Sequence, residues 1–479
     1  MSKKRKNKIN RREFIGTSIG AGVTIALGSS LQQIAQASAK GKNILFISID
    51  DLNDWGGPFG TAYQKVYTPG IDLLSSMGTT FTKAYCGAPA CGPSRNSLMT
   101  GLHPMNMPDQ GWEPFYKYTG RENSIPQIFK DGGYHVMGGG KLFHGHHNHK
   151  DPNIPWQDTN DPGVWDEYFK TPDDPTVFEK VNKDHSHFVF GSHYPGNEES
   201  MPDRKTLKWA KDKLAANYGK PFFLGVGFYR PHLPWLVPQK YFDMYPLDKI
   251  VIPEAPFHDL EDVPEKGKDL SGGSDHRRML KDNEWKKAIQ GYLASITFAD
   301  NCLLELLNSL NASKHKDNTL IVLWTDHGWH LGEKLGWRKF KLWERATKVP
   351  MIFAGPGVAK NVKNDNVVSL MDIKPTITDM LLDNKKPSQY GESMKALLSN
   401  PTRREDRAAV TSVSESGDGS KKAFSVRNAR WRYIEYSDGT AELYDHHADA
   451  QEHFNLLAKE SSKKHLDSIV AMLKSKAGK

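Results

Sequence analysis

Cysteine is scarce in this chain: three residues in 479, Cys86, Cys91 and Cys302. So small and odd a number cannot build a disulfide framework, so each thiol is a question of chemistry before stability. Long hydrophobic runs are missing as well. The weakly apolar stretch from Ile15 to Leu31 is broken by Gly16, Gly20, Gly22 and Gly28, is too short and polar for a stable membrane helix, and has no longer successor. Internal repeats and low-complexity tracts are absent, and 38% hydrophobic with 25% charged residues is a globular composition. A strong charge of one sign is lacking too, once the charge is located. Seven basic residues against one acidic among the first thirteen carry +6 of the formal +8, leaving +2 for the rest. A body so close to neutral offers nucleic acid no electrostatic footprint.

What is present begins at the N-terminus. Arg11-Arg12-Glu13-Phe14 enters the weakly apolar stretch, and Ala35-Gln36-Ala37 or Ala37-Ser38-Ala39 offers small residues for cleavage. This order resembles a twin-arginine signal peptide over residues 1–39. It implies a bacterial protein carried folded by the twin-arginine export machinery to the periplasm or beyond, with no stable membrane insertion.

The remaining chain alternates short apolar runs with helical patterns, the signature of an α/β fold with a large, mostly parallel sheet sandwiched by helices. Asn43–Ile49 reads as a strand buried on both faces, and Tyr134–Met137, Phe222–Val226, Leu320–Trp324 and Met351–Ala354 as further strands. Tyr292, Ile296, Ala299, Leu303 and Leu307 share one helical face, as do residues from Met371 through Ile377 to Leu381. The charged, Gly- and Ser-rich stretch from Asp259 to Lys287 reads as an exposed loop insertion. After about residue 400 the pattern becomes Phe424–Arg427, Trp431–Tyr436 and Glu442–Asp445 around a Ser437–Thr440 turn, followed by a helix with Leu466, Ile469, Val470 and Leu473 on one face. The expected division is a catalytic domain over 40–400 and a small α+β subdomain with a short antiparallel sheet over 401–479.

In parallel α/β sheets ligands bind beyond the carboxyl ends of the strands. There the sequence places Asp50 and Asp51, Lys141 and His144, Arg230 and His232, and Asp326 and His327. Either acidic pair alone would more often be a helix cap or a solvated turn. Two such pairs at strand ends instead suggest a bound hard cation, Ca²⁺ before Mg²⁺, although the imidazole would also suit Zn²⁺. Cys91-Gly92-Pro93-Ser94-Arg95 through Thr100-Gly101 has Pro where a first helical turn tolerates it and Gly where a short helix ends. Cys91 then stands at a helix N-terminus, which favours an anion, with Arg95 one turn on. A buried structural cysteine is the bland alternative, but it leaves that arginine unexplained.

Cys91-x-Pro93-x-Arg95 with Leu98-x-Thr100-Gly101 resembles the signature of type I sulfatases. So do Asp50-Asp51, Gly140-Lys141-x-x-His144, Arg230-Pro231-His232-x-Pro234, Asp326-His327-Gly328-x-x-Leu331-Gly332-Glu333 and the terminal Trp431-Arg432-Tyr433 and Leu443-Tyr444-Asp445 segments. The Lys-x-x-His spacing and the Asp-His pair are most similar to the iduronate-2-sulfatase-like branch. The resemblance implies the alkaline-phosphatase-like sulfatase fold and hydrolysis of O-sulfate esters, on algal or glycosaminoglycan-like carbohydrate. It implies that a formylglycine-generating or sulfatase-maturating enzyme oxidises Cys91 to formylglycine (3-oxoalanine), whose hydrate is the nucleophile. It further implies that Asp50, Asp51, Cys91, Asp326 and His327 hold Ca²⁺ and that Arg95 steadies the modified residue. Lys141 and Lys339 would neutralise the sulfuryl group, His144 would act as base and His232 as acid. Arg338 and Lys341 are neighbours able to replace Lys339.

Other features carry less. His146, His147 and His149 read as a polar loop, and Cys86 and Cys302 as packed thiols. Trp112, Glu113, Tyr116, His185 and His187 are candidates for a sugar-binding rim. Val136–Lys141 resembles a phosphate loop but lacks the first glycine and places Leu142 after the lysine. Two rival functions remain at this point, a phosphonate or phosphate monoester hydrolase of the same superfamily and a non-catalytic binder of sulfated polysaccharide.

Overall fold

A computed structural model describes residues 42–59, 63–144, 162–171, 194–382 and 390–478. The expected signal peptide and His146, His147, His149, His185 and His187 lie outside the described residues. The strands are β1 (Asn43–Ile49), β2 (Gly78–Tyr85), β3 (His135–Gly140), β4 (Glu167–Phe169), β5 (Phe222–Phe228), β6 (Thr319–Thr325), the short ribbon β7 (His330–Leu331) and β8 (Trp337–Arg338), β9 (Met351–Ala354), β10 (Val362–Ser369), β11 (Ala409–Ser414), β12 (Lys422–Arg427), β13 (Trp431–Glu435) and β14 (Ala441–Asp445). Eight form one sheet in the order β10-β2-β9-β6-β1-β5-β3-β4. Only β9 runs against its neighbours, β2 and β6.

β1 sits inside this sheet and every one of its residues is buried. Its side chains alternate between two cores, as the pleat requires. Leu45, Ile47 and Ile49 join Leu207, Leu293 and Leu303 from the helices Pro202–Ala215 and Trp285–Ala312. Ile44 and Phe46 join Leu98, Phe129 and Ile377 from the helices Cys91–Thr100, Ile125–Asp131 and Ile373–Leu381 on the other face. The sheet is therefore sandwiched by helices, as its near-continuous apolar strands imply.

One local reading is corrected, and three strands gain residues that the sequence pattern does not mark. Residues 259–287 are not an exposed loop: they hold the helices Glu265–Ser271 and Ser274–Lys281 and the start of Trp285–Ala312. Most of their charges face outward, Asp259 excepted, while Val263, Ser271, His276 and Met279 turn inward, and two helices this short, split by Gly272-Gly273, show too few turns for a legible period. β2 and β11 carry no apolar run, because threonine and serine fill them. Their hydroxyls are satisfied inside, Thr79 Oγ1 donating to Ala359 O and Thr411 Oγ1 to Cys86 O. The Gly138–Gly140 run belongs to β3, where Trp165 and Trp209 lie over Gly138 and Gly139.

β11–β14 form a four-stranded antiparallel sheet in sequential order, with the β13–β14 turn closed by Tyr436 N–H donating to Thr440 O. Buried Arg432 ties this sheet to the rest of the molecule, reaching Glu344 at 2.5 Å, Glu452 at 2.6 Å and Leu342 O at 2.9 Å. No helix among the described residues is long and apolar enough to cross a membrane.

Candidate active site

β6, β1, β5 and β3 lie side by side, so the residues following their carboxyl ends arrive at one edge. Gly140 closes β3 at φ 76°, and a Cβ there would lie 1.9 Å from Gly227 O. Only glycine lets the chain turn into Lys141 this close to β5.

Asp50 and Asp326 are fully buried, and the guanidinium of Arg95 lies between them, its Nη2 3.0 Å from Asp50 and its Nε 2.9 Å from Asp326. Its Nη1 donates to Ser48 Oγ and to the carbonyls of Lys141 and Leu142. Arg95 therefore acts on the carboxylates, and any steadying of Cys91 passes through them. Burial alone would raise the Asp50 carboxyl, but the Lys141 and Arg95 cations hold it below the usual range. Burial pushes Asp326 up to about 7 against the pull of Arg95, with the Asp50 charge adding to the rise.

Cys91 is the first residue of the helix Cys91–Thr100, which Gly101 ends in the left-handed region. Its buried Sγ lies 2.8 Å from Lys339 Nζ, 3.3 Å from His327 Nε2, 3.7 Å from Asp51 Oδ1 and 3.8 Å from Lys141 Nζ. His144 also hydrogen-bonds to it, and burial pushes that imidazole down. Burial would raise the Cys91 thiol, yet Lys141, Lys339 and His327 outweigh it and hold the thiol well below its ordinary value. Lys141 also pairs with Asp50, and Lys339 with Asp51 at 2.8 Å. Burial works against the Lys339 ammonium, but Asp51 and Cys91 raise it overall.

His232 stands at the mouth with its side chain 34% exposed and Nε2 3.8 Å from Asp51 Oδ2. Its Nδ1–H donates to Leu233 O at 2.6 Å, which turns Nε2 toward the site. Trp112 lies over Gly92, its ring 5.7 Å from His144 and 6.4 Å from Phe340, so it borders the mouth. Glu113 is exposed and pairs with Lys117, and Tyr116 packs on Phe115 and Arg121. The two other thiols, Cys86 and Cys302, are buried and their pKa values are raised by that burial. Arg338 pairs with Asp275 and Lys341 with main-chain carbonyls, so of the three neighbouring cations only Lys339 reaches Cys91.

The residues present fit a divalent cation. Ligand atoms of Asp51, Cys91, Asp326 and His327 lie within 4.8 Å of one another, and Asp50 joins Asp51, Cys91 and His232 in an overlapping set. Asp51 Oδ2 is buried without a hydrogen-bond partner. His327 donates from Nδ1 to Gly328 O at 3.0 Å, which aims Nε2 at the cluster, where a cation would take the place of the Nε2 proton, the usual arrangement of a metal-bound imidazole. Burial works against the protonated ring, yet Asp326 helps carry His327 up to about 9.

Sequence reasoning missed the supports. Tyr292 donates to Asp51 O at 2.7 Å and accepts from Asn53 N–H, fixing a residue that stands at φ 59°. Ser94 donates to Asp326 O at 2.5 Å. Tyr292 was legible only as part of an apolar helix face, and nothing in the sequence marks its hydroxyl.

A family model described as Sulfatase matches residues 42–383, and one described as N-sulphoglucosamine sulphohydrolase, C-terminal, matches residues 332–478. A protein named Sulfatase from Formosa agariphila is 36% identical over 456 residues, covering 90% of this chain and 86% of its own. Iduronate 2-sulfatase of Homo sapiens is 30% identical over 371 residues, covering 70% of this chain and 63% of its own. Among solved structures, phosphonate monoester hydrolase of Agrobacterium radiobacter has a TM-score of 0.72 at 19% identity, covering 91% of this chain and 95% of that one, a likeness of fold alone. Because the match over 42–383 takes in every one of the strand-end residues and Cys91, Arg95 and Lys339, the chain belongs to the sulfatase family.

Proposed function

We propose that this sulfatase removes O-sulfate from a sulfated carbohydrate, with Cys91 oxidised to formylglycine and Ca²⁺ held by Asp50, Asp51, Asp326 and His327. The observation that carries the reading is the convergence of Lys339, Lys141 and His144 on one buried atom, Cys91 Sγ. Such a nest of donors suits a small tetrahedral anion. When present, calcium supplies a Lewis acid for a sulfate oxygen, and the formyl group supplies a hydrated-carbonyl oxygen in place of the thiolate.

The chain's own groups divide the remaining work. Arg95 sets the spacing of Asp50 and Asp326. Lys339 and Lys141 offset negative charge on the transferring sulfuryl group, a role that matters most in a buried site. His144, kept neutral by burial, is suited to take a proton beside residue 91. His232, whose Nε2 faces the mouth, is placed to give a proton to the departing alcohol. Support for a carbohydrate comes from the name of the human relative and from the exposed Phe340 beside Trp112, aromatic surface on which a sugar ring can lie. The Arg11-Arg12 segment supports export, and an exported enzyme would need its maturation enzyme to act on Cys91 beforehand.

Protein made together with a maturation enzyme tests the reading by mass measurement of the Cys91 peptide, alongside turnover of aryl sulfate and aryl phosphate esters. Formylglycine and a preference for sulfate are expected. An unmodified thiol in fully active protein would overturn the mechanism, and faster turnover of the phosphate ester would favour the monoesterase alternative.

A further inference from the structure

Lys341 is buried, and among the described residues its ammonium meets no carboxylate. It donates instead to Trp337 O at 2.6 Å and Lys339 O at 3.1 Å. Each of those carbonyls precedes a residue in the left-handed region, Arg338 and Phe340, both at φ 69°. A non-glycine residue held there is strained and persists only where its surroundings fix it. Two such residues flank Lys339, the lysine that reaches Cys91 and Asp51.

The surroundings do fix them. Phe340 N–H donates to Pro89 O at 2.9 Å, two residues before Cys91. The Arg338 guanidinium meets Asp275 at 2.6 and 3.3 Å, and Trp337 Nε1–H donates to His276 at 3.3 Å, both partners on the helix Ser274–Lys281. Gly336 makes room for the stem of Lys341, since a Cβ there would lie 2.6 Å from Lys341 Cε. The carbonyls of Trp337 and Lys339 are therefore both tied to the Lys341 ammonium while the Lys339 side chain reaches Cys91.

We propose that Lys341 is a positioning residue: its ammonium, with Asp275 gripping Arg338, holds the 337–340 backbone in the conformation that delivers Lys339 Nζ to residue 91. The proposal rests on the reading of Lys339 as a charge-neutralising group. Removing the strut lets the backbone relax out of the left-handed region, and a displacement of about 1 Å at a reacting centre can cost about 10²-fold in rate.

Steady-state kinetics on an aryl sulfate, using full-length matured enzyme with calcium, compares K341M, K341R, D275N, K339A and K339A/K341M. Expected are a loss of about 10²-fold in kcat for K341M with KM within about threefold, and recovery of at least about tenfold in K341R, which can donate to the same carbonyls. Asp275, a quarter exposed, offers a second route that spares the core, and D275N should lower kcat several-fold. On the K339A background K341M should add less than about twofold, because both changes remove one function. Wild-type kcat in K341M, or a full additional loss on the K339A background, overturns the proposal and leaves Lys339's role standing. Wild-type kcat in K339A overturns the reading of Lys339 and the proposal with it. If thermal unfolding shows that K341M does not fold, the same cycle run with D275N decides, with an additive loss counting against it.

Discussion

The Nζ of Lys339 lies 2.8 Å from the Sγ of Cys91, across 248 residues of sequence. The same ammonium lies 2.8 Å from Asp51 Oδ1, so it bridges Cys91 and the carboxylate cluster. Lys339→Ala should therefore lower kcat for sulfate esters by about 10²–10³-fold, the usual cost of one charge-stabilising donor in a buried site. KM should change much less, because charge develops mainly in the transition state. A variant with wild-type kcat would show that Lys141 suffices.

Cys91 separates catalysis from retention. Cys91→Ala preserves both lysines but has no heteroatom on Cβ from which an aldehyde could form. Desulfation should fall to background while the Tm stays within a few degrees and sulfated polysaccharide is still retained on a column. A pure binder would release no sulfate even as wild type, so inorganic sulfate measured from both proteins decides between the readings.

Arg95 is the cation on which two fully buried carboxylates depend. Arg95→Met should cost about 3–5 kcal/mol, since it leaves Asp50 and Asp326 buried without their shared partner. If those carboxylates also bind calcium, saturating calcium should return part of the lost Tm, and chelator should lower the wild-type Tm, because a ligand that binds only the folded state stabilises it. Thermal scans with calcium and with chelator provide the check. A Tm indifferent to both in either protein would argue against a metal at these residues.

How far the sequence carries this site depends on which force places each residue. Asp50, Asp51, Asp326 and His327 follow apolar runs directly, so strand identity alone locates them at the sheet's carboxyl edge. Cys91 and Arg95 are fixed by helix chemistry, with Pro93 near the start and Gly101 at the end. Lys339 is different. It lies on a loop whose shape comes from left-handed residues and from partners in the segment 259–285, and neither has a period to read. That is also why Asp275 carries no mark in the sequence, why Lys341 is legible only as a possible substitute for Lys339, and why a charge-rich stretch reads as solvent-facing loop. β2 and β11 were hidden by hydroxyl side chains whose partners lie far along the chain, Thr79 with Ala359 and Thr411 with Cys86.

His103 makes a pH prediction independent of catalysis. It is buried, its Nε2 hydrogen-bonds to Val410 O at 3.1 Å, and its Nδ1 accepts from Met105 N–H at 3.2 Å. One nitrogen thus donates and the other accepts, which describes a neutral ring, and burial, aided by nearby Lys422, lowers its pKa to about 4. The folded pKa lies below the unfolded value of about 6.5, so the unfolded chain takes up the proton first. Stability from this residue is complete above about pH 6.5 and is lost as pH falls toward 4, by at most about 3 kcal/mol. His103→Gln keeps a donor and an acceptor but cannot be protonated, so its Tm should fall less steeply than wild type between pH 6.5 and 4. Parallel Tm profiles for the two proteins over that interval would mean that His103 is protonated in the folded state, and would place the acid sensitivity elsewhere.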